Sequence, residues 1–262
     1  MAGPPAATSR TPTGRAVLRE VFALSGGTGR GSVTIMEQWG VVEVFGLEAG
    51  RLAEAMVGVS EAEWGRPTRC APWRVRELFG HVRVTVGRLP GMLGGEAPAV
   101  AEVTAVGYYR PDARFDAGTN AARVSTAQEH ASVQGDGKAL VEDFELAWRR
   151  AYEMCLAEPE GRVVRTRHGD AMLLSEFLLT RVVELVVHGL DLADALGREP
   201  WLTSEGGGVV EALLLGSSGT AGVRGLGWDQ VTFLRKATGR APISLSETEA
   251  VERAGVHWLT LG

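Results

Sequence analysis

The sequence predicts an all-α fold, with a four-helix bundle over residues 36–200 and a short, mainly helical extension over 201–262. Three observations carry this expectation. Four long segments place apolar residues at helical spacing, clusters of Gly and Pro separate them, and the tail shows no clear strand alternation.

Residues 1–35 are rich in Gly, Pro, Ser, Thr and Arg and are expected to be a disordered extension. The first bundle helix is expected over 36–59, where Val41, Val44, Phe45, Leu52, Ala55, Met56 and Val59 form an apolar stripe. A loop with Ser60, Gly65, Pro67, Thr68 and Pro72 follows, and Trp64 and Trp73 are expected to staple it to the core. The second helix spans 75–89, with Leu78, Val82, Val86 and Leu89 as its stripe, His81 beside them, and Pro90-Gly91 as its stop. Residues 94–136 are broken by Gly94-Gly95, Pro98, Pro111 and Gly135, with short helices expected near 100–108 and 121–133. A stretch of that length can form a lid or a pocket wall. The third helix covers 138–157 on Leu140, Val141, Phe144, Trp148, Ala151 and Cys155. A short extended piece at 162–168 leads to the fourth helix, 172–196, which Gly197 and Pro200 stop. Further helices are expected around 209–215, 229–238 and 244–254.

A chain of 262 residues, 45% hydrophobic, makes one large domain or two small ones. The net charge of −5, with no basic run, argues against a nucleic-acid partner. The most apolar run, 173–196, is interrupted by six charged or imidazole side chains, so no membrane span is expected. The first residues lack the apolar core of a secretory signal. Cys70 and Cys155 are far apart and read as free thiols, so a cytoplasmic protein acting on a small molecule is the simple expectation. Two lysines against 25 arginines, with 35 glycines, point to a high-GC bacterial genome.

The segment from Arg181 to Asp191 carries the chemistry. Glu184, His188 and Asp191 stand at i, i+4 and i+7 on one face of an otherwise apolar helix. An ionised Glu buried without a partner is costly, and a divalent metal supplies that partner. Plainer readings exist for each group. Glu184 could pair with Arg181, and His188 could answer the helix dipole. Asp191 could tie a local turn, and Cys70 could be structural. His130, His168 and His257 read as surface residues.

Two motifs bear a family resemblance. Trp64-x-x-Pro67-Thr68-x-Cys70-x-x-Trp73-x-Val75-x-x-Leu78-x-x-His81 resembles the N-terminal signature of the mycothiol-dependent maleylpyruvate isomerase branch of the DinB-like superfamily. Arg181-x-x-Glu184-x-x-x-His188-Gly-x-Asp191, running on to Gly197, resembles that branch's second signature, and the two fall in the expected order. The resemblance implies a DinB-like four-helix bundle in which His81, Glu184 and His188 bind a divalent metal, usually zinc. Two imidazoles and one carboxylate leave a fourth zinc position open for water, substrate or thiolate. Asp191, one turn beyond His188, could orient an imidazole from outside the coordination sphere.

The resemblance further implies a small thiol, mycothiol, as cosubstrate. Its thiolate would attack an electrophilic carbon, giving isomerisation if it adds and then leaves, or S-transfer if it stays. Mycothiol is an actinobacterial thiol, which agrees with the Arg-rich composition. Arg110, Arg235 and Arg240 are candidates for gripping anionic parts of the thiol or substrate. The alternatives are a metal-dependent tailoring enzyme or hydrolase without a thiol, and a non-catalytic metal-binding bundle. Bundles of this sort often form homodimers. The 201–262 tail departs from the isomerase branch, which usually ends in a larger α+β domain.

Overall fold

The computed structural model describes residues 40–110, 112, 116–256 and 258. The extension expected over 1–35, and His257, lie outside the described residues.

Four long helices form the bundle: α1 (Val41–Met56), α3 (Val75–Gly87), α7 (Gly137–Leu156) and α8 (Leu174–Leu196). Helices α1 and α3 each pack against both α7 and α8, which closes a four-membered ring. Its centre is filled by apolar side chains at helical spacing, among them Phe45, Leu52, Leu78, Phe79, Leu140, Phe144 and Leu178, all nearly or fully buried. Trp64, on the one-turn helix α2 (Glu61–Trp64), lies 5.6 Å from Phe79, whose ring is 5.0 Å from Phe144. The expected stapling of the loop by tryptophan is thus observed: Trp64 and Trp73 are both buried.

Local chemistry explains the helix ends. Ser60 and Glu63 form a reciprocal capping box at α2. Asp136 accepts the Ala139 N–H at 2.8 Å to start α7. Gly197, at φ 66°, ends α8 with a Schellman pattern, Arg198 N to Ala193 O at 2.9 Å and Gly197 N to Asp194 O at 3.2 Å.

Three features differ from the sequence expectation. Pro90 does not stop the chain's helical course. It sits in the first turn of a short helix, α4 (Leu89–Leu93), where its missing N–H costs no hydrogen bond. The extended piece is one arm of a hairpin, β1 (Val163–Arg165) against β2 (Ala171–Leu173), with Val164 opposite Met172. The returning strand is masked in the sequence because its apolar residues merge with the stripe of α8. Helix α9 (Ser204–Arg224) begins earlier than expected and runs through Gly206-Gly-Gly before breaking at Gly216. The first two of those glycines are a packing device, since a Cβ on Gly206 would stand 2.5 Å from the Glu48 carboxyl carbon and one on Gly207 2.5 Å from the Gln230 amide carbon.

The remaining helices cover the ring. Short α5 (Ala105–Tyr108) touches α8, and α6 (Ala117–Val133) lies along α3. Helix α9 packs on α8 and α1, and α10 (Gln230–Ala237) packs on α9, followed by α11 (Leu245–Arg253). No described helix is long and apolar enough to cross a membrane.

Candidate metal centre and its cavity

Helices α3 and α8 bring the two motifs together. His81 projects from α3, and its Nε2 lies 3.0 Å from Glu184 Oε2 on α8. One turn on, His188 Nε2 lies 3.3 Å from the same oxygen. Tetrahedral ligands at zinc bond lengths stand about 3.3 Å apart. Both imidazole distances to Glu184 match that spacing, the three donor atoms lie within 4.8 Å of one another, and each is of a type zinc accepts. The donor set fits a divalent metal. The Glu184 and His188 side chains remain 20% and 16% exposed, which leaves one side of the cluster open to approach. His81 is held by its neighbours: the Trp73 ring stacks on it at 4.6 Å and 25°. Trp73 is placed by a tight loop in which Thr68 donates both its N–H, at 3.2 Å, and its hydroxyl, at 2.7 Å, to Trp73 O.

Behind His188 runs a second layer of polar contacts. His188 Nδ1 lies 3.0 Å from Asp191 Oδ2, so an Nδ1–H donated there leaves Nε2 free to bind a metal. Asp191 is buried and also accepts a two-pronged grip from Arg240, Nε to Oδ1 at 3.0 Å and Nη2 to Oδ2 at 2.8 Å. Arg69 ties down the same tail segment by donating to the carbonyls of Gly239 and Arg240, both at 2.8 Å. The Cys70 thiol completes this layer, with Sγ 3.2 Å from Asp191 Oδ2.

The electrostatics follow from these contacts. Burial pushes the His81 imidazole down to about 4, against the pull of Glu184. Burial alone would raise Glu184 and Asp191. The imidazoles beside Glu184, and His188 with Arg240 beside Asp191, overcome it and hold both carboxyls below the usual range. Burial opposes a charge on His188 as well, but Asp191 and Glu184 raise it well above the ordinary value.

The cluster lies on the wall of a cavity of about 300 Å³. His81, Glu184, His188 and Arg240 all line it. The other two candidate arginines do not: Arg110 is exposed beside α5, and Arg235 is engaged with Asp194. Arg181 is buried, and it bonds Thr180 Oγ1 rather than Glu184. Of the histidines read as surface residues, His168 lines the cavity and His130 is half-buried, 3.0 Å from Asp143 Oδ2.

Sequence reasoning missed Arg88, Arg123, Arg167 and Arg181 as cavity residues. Two of them left a signal. Arg88 stands seven residues after His81 and Arg181 three before Glu184, each at same-face spacing to a proposed ligand. Arg123 and Arg167 reach the cavity only through the packing of α6 and the hairpin.

Fold and site together define a helical bundle with an open two-histidine, one-carboxylate donor set on a cavity wall. Residues 45–193, more than half of the chain, match the family described as the mycothiol maleylpyruvate isomerase N-terminal domain, and the chain belongs to that family. It is also similar to uncharacterized proteins from two strains of Mycobacterium tuberculosis, each 30% identical over 134 residues, 51% of this chain and 48% of the relative. The chain thus spans about half the length of these curated relatives. Two crystal structures of a mycothiol-dependent maleylpyruvate isomerase, one of them a mutant, align over 63% of both chains. Their TM-scores are 0.44 and 0.45, at 18% and 16% identity.

Proposed function

We propose that this protein is an enzyme that uses a divalent metal, zinc by its donor set, to activate a low-molecular-weight thiol for addition to or transfer onto an electrophilic small molecule. Mycothiol is the thiol that family membership favours. The reaction would be an isomerisation if the thiol leaves again and an S-transfer if it stays. The observation that carries the reading is the convergence of His81 Nε2, Glu184 Oε2 and His188 Nε2 on the wall of a partly open cavity.

The bound metal would supply a Lewis acid that favours thiolate over thiol at neutral pH. The chain's own residues do the rest. Asp191 fixes the tautomer and orientation of His188, and Arg240 holds Asp191 in place for that task. Trp73 covers one face of His81 and keeps bulk water from that ligand. The cavity volume suits a small molecule. The free thiols of Cys70 and Cys155 favour a reducing, cytoplasmic setting.

Thermal shift of the zinc-loaded protein with mycothiol, glutathione and cysteine tests the reading. Stabilisation by mycothiol above the other two is expected. No stabilisation by any thiol would overturn it in favour of a thiol-free metal reaction.

A further inference from the structure

We infer that Tyr109 is a further catalytic residue of the reaction proposed above, its phenol donating a hydrogen bond to the carbonyl oxygen on which charge collects when sulfur adds to an electrophile. The step it serves rests on the thiol reading, whereas hydrogen bonding to a carbonyl in the cavity does not.

Tyr109 follows α5 and donates its N–H to Val106 O at 3.3 Å. That short helix is well anchored. Thr104 Oγ1 accepts the Gly107 N–H at 3.2 Å, and Glu176 of α8 accepts the Ala105 N–H at 2.7 Å. The Tyr108 ring stands edge-on to that of Tyr109 at 5.5 Å. The Tyr109 side chain is thereby buried and held on the wall of the cavity that also contains the donor cluster. Its hydroxyl reaches α8 and meets Thr180 O at 3.4 Å. Helical carbonyls point toward the C-terminal end, so this contact lies within a turn of Glu184.

A hydroxyl normally bonds an oxygen at about 2.8 Å, so a contact of 3.4 Å is weak, and the same carbonyl belongs to the helix ladder. Among the described residues the phenol has no closer hydrogen-bond partner. A buried polar group so poorly matched calls for another partner. A ligand oxygen in the cavity would replace the stretched contact with a full bond. Burial, and then the Glu184 carboxylate, hold the phenol well above its usual range, so it remains a donor at neutral pH.

When a sulfur lone pair forms the S–C bond at the β-carbon of an unsaturated carbonyl compound, the C=C pair shifts and the carbonyl oxygen becomes an enolate oxygen. Tyr109 keeps its proton and tightens its hydrogen bond to that oxygen. Expulsion of sulfur restores the double bond, or a solvent proton at the α-carbon completes the addition. Attack on an alkyl halide instead puts the charge on the departing halide, where no carbonyl oxygen needs a donor.

The test compares wild type with Tyr109→Phe, both full-length and zinc-loaded, using mycothiol with diethyl maleate or with iodoethane. The kcat for diethyl maleate should fall about 100-fold, the usual effect of losing one such donor, with KM little changed. Turnover of iodoethane should fall far less, and zinc content should match. An unchanged kcat, or an equal loss on both electrophiles, would overturn the assignment. Infrared difference spectra of carbonyl-labelled diethyl maleate, recorded without thiol, give a second readout. The C=O stretch should lie lower in wild type than in the variant, and identical bands would also overturn it. Wild type that turns over neither electrophile removes the thiol reading and the catalytic step with it, while the C=O stretch still decides whether Tyr109 donates to a carbonyl.

Discussion

Asp191 Oδ2 sits 3.0 Å from His188 Nδ1 while the Arg240 guanidinium grips both oxygens of the same carboxylate. A residue from the C-terminal tail thereby orients a proposed metal ligand in the middle of the bundle. Partners of this kind typically contribute 10- to 100-fold to metal affinity. Asp191→Asn should weaken zinc binding by about that factor, and Arg240→Gln should act in the same direction, as read by competition with a chromophoric chelator. Unchanged affinity in both would show that the layer behind His188 is structural only.

Gly137 begins α7 directly beneath Trp64, where a Cβ would fall 1.8 Å from Trp64 Nε1. The indole is fully enclosed and cannot step aside. Gly137→Ala should therefore destabilise the fold by about 1–3 kcal/mol, the usual cost of overpacking, in urea unfolding. A neutral substitution would mean that the contact between α2 and α7 is looser than described.

Glu48 of α1 is buried under the start of α9 and accepts the Thr203 N–H at 2.6 Å. Burial pushes its carboxyl from 4.5 up to about 7, against that hydrogen bond. The folded state thus takes up a proton that the unfolded chain releases. The contribution to stability is present below the unfolded value of 4.5 and is lost as pH rises through about 7. Wild type should lose up to roughly 3 kcal/mol relative to Glu48→Gln between pH 5 and 8. Parallel pH profiles for the two proteins would contradict this.

The helices and the donor cluster were legible in the sequence because local periodicity encodes them. Val44, Phe45 and Leu52 announce α1, and Glu184 and His188 share a face by spacing alone. The two motifs also carried the family, which residues 45–193 bear out. What sequence could not show depends on tertiary approach. The Gly206 step exists because Glu48 lies against it, and the returning strand at 171–173 exists because Val163–Arg165 pairs with it. The sequence offers Arg240 as a grip for an anionic ligand, and the structure places its guanidinium on Asp191, a contact 49 residues apart in sequence. Arg167 enters the cavity through the hairpin turn, which no helical spacing could reveal.

The most direct measurement is elemental analysis of the purified wild type beside a His81→Ala/His188→Ala double variant, with circular dichroism to confirm that both are folded. The account predicts about one divalent metal per wild-type chain and none in the variant, because two of three donors are gone. Folded wild type that takes up no metal on reconstitution, or equal metal in both proteins, would contradict it.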